Sequence, residues 1–152
     1  MTLDFDKYAA IGNKVVRILA DDLQTSRDKA GRILTAVLHV LRQRLTIAES
    51  FQLMAQLPMV LKAVYVDGWN YNKPFQRIHR LDEFLDEIRK EDGKNATYDF
   101  GNNEEAKKVV IAVFRVLFLF VSEGEINNIV AVLPSALKEL VKEAVGENRM
   151  VL

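Results

Sequence analysis

The sequence predicts an all-α fold: two tandem four-helix units, about eight helices, packed as one compact bundle with a pseudo-twofold internal repeat. Three observations predict it. Sliding the chain on itself aligns residues 26–64 with residues 102–140 at a constant offset of 76, without a gap, and 11 of those 39 positions are identical. The residues that start and stop helices recur at matching places in both halves. No segment shows the sustained polar–apolar alternation of a strand.

The first helix of each unit is read over about Asp4–Leu23 and about Leu81–Glu91, where Leu81, Phe84, Leu85 and Ile88 keep the 3–4 spacing of one buried face. A second helix opens after Ser26 and after Asn102, both of which can accept an orphan backbone N–H. Asp28, Glu104 and Glu105 complement its positive end, and Ile33, Leu34, Val37, Leu38, Leu41 and Leu45 form the inward stripe of the front copy. The third helix starts at Thr46 or Ser122, each followed three residues later by a glutamate, Glu49 or Glu125, which is a capping box. Leu57-Pro58 and Leu133-Pro134 then break the helix and open a fourth, over about 58–66 and 134–145, because proline is harmless only in a first turn. Residues 1–67 form unit one, 68–80 a linker, 81–146 unit two and 147–152 a C-terminal tail. Lys94 to Asn103 reads as a polar loop.

Charge and composition narrow the function. Twenty-one basic and 21 acidic side chains cancel, although residues 1–76 carry net +3 and residues 77–152 net −3. Overall neutrality argues against a field that draws in nucleic acid, and the bases of the second helix are spread over its ends, so weak nucleic-acid binding is the third reading of function. The absence of cysteine removes disulfides and thiolate metal sites and fits a reducing compartment. Met1–Asp6 holds two acids and no apolar run of a signal peptide. The longest apolar stretch, Val109–Val121, contains Arg115 and falls short of the roughly 20 residues of a membrane span, so a cytoplasmic setting without membrane contact is expected.

Two differences between the units mark candidate surfaces. Arg42-Gln43-Arg44 becomes Phe118-Leu119-Phe120 in the second copy, a solvated face turned apolar. The other unit, the tail residues Met150-Val151-Leu152 or a second chain must cover it, and Phe118 and Phe120 are the candidate interface of a homodimer. The linker DGWNYNKPFQRIHR combines the one tryptophan with aromatic and basic side chains, and Trp69, Tyr71, Arg77, His79 and Arg80 form the candidate binding surface.

The segments AGRILTAVLHVLRQRL, ESFQLMAQLPMVLKAVYVDGW, DEFLDEI and SEGEINNIVAVLPSALKEL, with their paired "LP" breaks and the "GW" before the linker, cover most of residues 4–145. On these the chain resembles a widespread bacterial family of uncharacterised helical proteins, a domain of unknown function. The resemblance implies an all-α fold, a cytoplasmic bacterial setting, no assigned activity and no catalytic residues to carry over.

Catalytic and metal chemistry finds no footing in the sequence. His39 and His79 are far apart, no glutamate lies three residues before either, and no glycine-rich phosphate loop occurs. His39 shares a helix face with Arg32, Thr35 and Arg42, which reads as a solvated polar face. No cofactor is implied. The leading reading is a non-enzymatic protein-interaction module, self-associating or bound to a partner. The alternative is a small-molecule-binding protein or enzyme with a pocket between the units, near Trp69, Arg77 and His79.

Overall fold

Most helices of the computed structural model, which describes the backbone of residues 3–151 and the side chains of residues 3–146, begin at a recognisable stop or cap. Asp4 accepts from the Asp6 N–H and opens α1 (Phe5–Leu23), which ends on Gln24 in the left-handed region at φ 52°. Ser26 accepts from the Lys29 N–H to start α2 (Arg27–Arg44). Thr46 and Glu49 close a capping box on α3 (Ile47–Gln56), with bonds of 2.8 and 3.1 Å. Leu57 is held extended (φ −87°, ψ 150°) ahead of Pro58, as a residue before proline must be, and α4 (Met59–Val66) follows.

The back half runs through α5 (Leu81–Asp92), a 3₁₀ turn (Gly93–Asn95), the one-turn α6 (Ala96–Phe100), α7 (Asn103–Phe118), α8 (Glu123–Val132) and α9 (Ser135–Val151). Asn102 with Glu105 and Ser122 with Glu125 close two further capping boxes. Hydrogen bonds from the Ser122 backbone and side chain hold the Glu125 carboxyl below its usual value. Eight helices of eight residues or more are present, and the described residues include no strand. The helix starts keep the 76-residue offset throughout: Phe5 and Leu81, Arg27 and Asn103, Ile47 and Glu123, Met59 and Ser135.

The polar loop expected over Lys94–Asn103 is instead partly helical. Phe100 is buried, Asp99 is pinned to α2, and Gly93 (φ 68°) and Gly101 (φ 63°) turn the chain on either side of α6. At Gly101 the backbone lies at φ 63° and ψ −144°, a conformation that favours glycine and strains any other residue, and a Cβ there would also displace the Glu105 carboxylate.

One hydrophobic core joins the halves. Helices α2 and α7 touch at its centre. α1 packs on both of them, α5 lies chiefly on α2, α3 meets α8, and α9 covers α7. The identical repeat pairs Ala30 and Ala106, Val37 and Val113, Leu41 and Leu117, and Leu61 and Leu137 are all buried in that core. The tail Met150-Val151-Leu152, considered above as a cover, lies outside the described side chains.

Candidate functional site

The linker is fixed at both ends by its own apolar residues. Trp69 is half-buried against the core, its ring edge-on to Tyr65 at 5.8 Å between centroids, and Ile78 is buried further along. Tyr65 is itself locked, with its hydroxyl 2.7 Å from Ser50 Oγ, and burial pushes its phenol up to about 12. Between the anchors the basic side chains tie the linker to three helices. Arg44 donates to both the carbonyl (3.3 Å) and the side-chain oxygen (3.1 Å) of Gln76 and pairs with Glu87 at 2.9 Å. Arg77 stands over the Phe75 ring at 5.3 Å and faces Glu49 at 3.7 Å.

Two clefts result. The first, about 280 Å³, lies between the end of α2, the start of α3 and residues 69–75, with Arg42, Ile47, Trp69, Tyr71, Lys73 and Phe75 among its walls. The second, about 620 Å³, lies between the end of α2, residues 76–79 and α5, and is lined by Arg44, Arg77, His79, Glu83, Glu87 and Lys90. A single pocket holding Trp69, Arg77 and His79 together, as the sequence suggested, does not form. Trp69 and Tyr71 open on the first cleft and Arg77 and His79 on the second, because the twin anchors press the aromatic part of the linker against α2–α3 and the basic part against α5. Arg80 stands outside both and pairs with Asp82 at the start of α5, which raises the arginine and lowers the acid.

The candidate interface divides as well. Phe118 is 3% exposed and packs on Phe114 at 5.9 Å inside the chain, so its apolar surface is already covered. Phe120 is half-buried with Lys14 Nζ 6.0 Å above its ring, and Leu119 is the residue turned to solvent, at 56% exposure.

The face of α2 expected to lie in water is covered by α4, α5 and α6. His39 Nε2 donates to the Val64 carbonyl at 2.8 Å while Nδ1 lies 3.5 Å from Glu91. Thr35 bonds back to the Gly31 carbonyl. Arg42, only 6% exposed, donates through Nη1 to the carbonyls of Tyr65 (2.9 Å) and Asp67 (2.6 Å), and burial draws its guanidinium below the ordinary value. Arg32 grips Asp99 with two bonds, 2.9 and 2.8 Å. One usable signal for this seam stood in the chain, the exchange of Arg42 for Phe118 between the units, and it gave the seam away only at that position. None pointed to Arg32 and Asp99, which stand 67 residues apart.

The Arg32 contact belongs to a carboxylate pair that the sequence did not disclose. Asp99 is buried, and Asp92, at the end of α5, lies near it with one carboxylate oxygen buried and without a hydrogen-bond partner. Burial and the Asp99 carboxylate push Asp92 up to about 7. Burial also works against the Asp99 carboxylate, but the bonds from Arg32 and Asp92 outweigh it and hold Asp99 below its usual value. The two carboxylates are thus driven in opposite directions, and Asp92 sits at the wall of a cleft of about 550 Å³ that Arg27, Asp28, Arg32, Thr35 and Glu91 also line. Among the described residues no group of three or more His, Cys, Asp or Glu side chains is placed to hold a metal, and no helix is long and apolar enough to cross a membrane.

Comparison with known proteins adds one finding. The model of a family described as an uncharacterized conserved protein (DUF2267) matches residues 13–140. No curated protein matches the chain.

Proposed function

The chain belongs to this uncharacterised conserved family, and from that premise we propose that it is a non-enzymatic binding module whose working surface is the linker face, taking up an apolar segment of a partner protein. One observation carries the reading: exposed apolar side chains gather around a single cleft. Ile47, Tyr71 and Phe75 line it and are each well exposed, and Phe51 follows Ile47 one turn along α3 on the same helix face. Scattered exposed apolar residues need no explanation, whereas a cluster around a concavity is what partner surfaces look like. Arg77, stacked on Phe75, and Lys73 supply a basic rim.

The resemblance drawn from the sequence adds a bacterial cytoplasmic setting to this reading. The constant spacing of the helix starts supports a duplicated origin.

A displayed library of short peptides, selected on the native protein and counter-selected on a Tyr71→Ser, Phe75→Ser variant, tests the reading. Recovered peptides are expected to bind the native protein alone and to change the fluorescence of Trp69, the single tryptophan. Equal recovery on both proteins would overturn it.

A further inference from the structure

Arg42 is a buried cation with no carboxylate in direct contact, and Glu91 and Asp67 act on it only at longer range. A guanidinium carries five N–H donors. Two bonds from Nη1 go to neutral carbonyls at the end of α4, where the helix dipole is negative, and Nε is buried with no partner at all. No carboxylate of the described residues stands within ion-pairing distance of it. Burial of a charge so incompletely compensated is costly and calls for a reason.

Packing is not that reason. The repeat places Phe118 at the corresponding position of the second unit, and Phe118 is just as buried. An apolar ring therefore serves the same place in the helix, and the charge at Arg42 is an addition to the fold.

The surroundings say what the charge is for. Arg42 lines the 280 Å³ cleft together with Trp69, Tyr71 and Phe75, and the only other charged side chain on its walls is Lys73. No aspartate or glutamate lines it. Such a cleft selects an anion, and Ile47, Trp69, Tyr71 and Phe75, on walls shared with Gln43, Asn70 and Asn72, favour one attached to an apolar body. Its size is at the small end of the roughly 300–1,000 Å³ range of ligand pockets. A planar carboxylate matches the guanidinium fork, and a desolvated guanidinium bonds it more strongly than one in water.

We propose that the linker cleft is a binding site for a carboxylate carried on a small apolar body, with Arg42 receiving the carboxylate and Trp69, Tyr71 and Phe75 enclosing the apolar part. The inference rests on the linker face being the working surface and names the chemistry that face takes. A free arylalkanoic acid and the C-terminal apolar residue of a partner chain both present this group.

Titration of 3-phenylpropionate and of its amide, followed by Trp69 fluorescence and calorimetry, tests the charge directly on the native protein. Tetrapeptides ending in phenylalanine, with free or amidated C-termini, distinguish the two sources. The acids are expected to bind about 10- to 100-fold tighter than the amides, the range of a charge-assisted hydrogen bond. Arg42→Phe is expected to fold, with a melting temperature no lower than that of the native protein, and to abolish the preference for acids. Arg42→Gln checks the same loss without added bulk. Tighter binding by the peptides than by phenylpropionate assigns the site to a chain terminus, and the reverse order assigns it to a free acid. Acids and amides that bind equally overturn the charge inference while leaving the binding-module reading intact. Failure of every probe, together with failure of the library selection, overturns both.

Discussion

At Asp92 a single proton links burial to stability. The carboxyl moves from an ordinary value of 3.8 to about 7 because the folded chain holds it half-buried beside Asp99. A group whose folded pKa lies above its unfolded one contributes stability that is complete below about pH 4 and is lost as pH rises through about 7. Asp99, shifted the other way, contributes above the ordinary carboxylate range and loses its contribution only at more acidic pH. In the window between 4 and 7 the Asp92 effect therefore sets the slope. Asn at position 92 removes the titrating group while keeping its size. Thermal melts at about pH 5.5 and about pH 8 should show the native protein less stable at the higher pH, with the drop largely abolished in Asp92→Asn. An equal drop in both proteins would remove the Asp92 titration from the account. Lys29 and Arg32 lie close enough to bias the pair, and Arg32 is the one in direct contact.

Local chemistry governs the scale of single helices, and there the sequence was most legible. Ser26, Thr46, Asn102 and Ser122 all cap as their side chains require, and Pro58 and Pro134 each stand immediately ahead of the helix they open. These features depend on residues three or four apart, so their spacing is written in the chain itself. Replacing Thr46 or Ser122 by alanine is expected to lower stability by about 1 kcal/mol each, seen as a lower urea midpoint with an unchanged slope. A neutral result at both positions would mean that tertiary contacts, not caps, define those helix starts. The short α6 escaped the same reading. Its one turn owes little to its own residues and much to Phe100 in the core and Asp99 on Arg32, both distant partners.

Interleaving is the property of the whole molecule. α1 of the first half lies against α7 of the second, α5 of the second lies chiefly on α2 of the first, and α3 meets α8. Each half therefore buries its own stripes only in part and leaves the rest to the other half. Residues 1–76 and 77–152 prepared as separate fragments should each show weak helicity and no cooperative melting, and mixing should restore both, as circular dichroism would report. Cooperative unfolding of either fragment alone would instead make the halves independent domains. The same interleaving explains the fate of Phe118. The apolar face that the sequence exposed is absorbed into the shared core, and Leu119 is left at the surface.

Helix type, most helix starts and the 76-residue recurrence were set by the chain alone, because periodicity and capping act over a turn or two, whereas the last helix, expected to end near 145 ahead of a tail, runs on to Val151. What the candidate sites contain was decided only when distant segments met. The seam of Arg32, His39 and Arg42 looked like a wetted face until α4, α5 and α6 covered it, and the linker residues that looked like one surface were parted between two clefts. Burial, and with it the worth of a charge or a proton, depends on what lies across the gap, and sequence spacing carries no record of that.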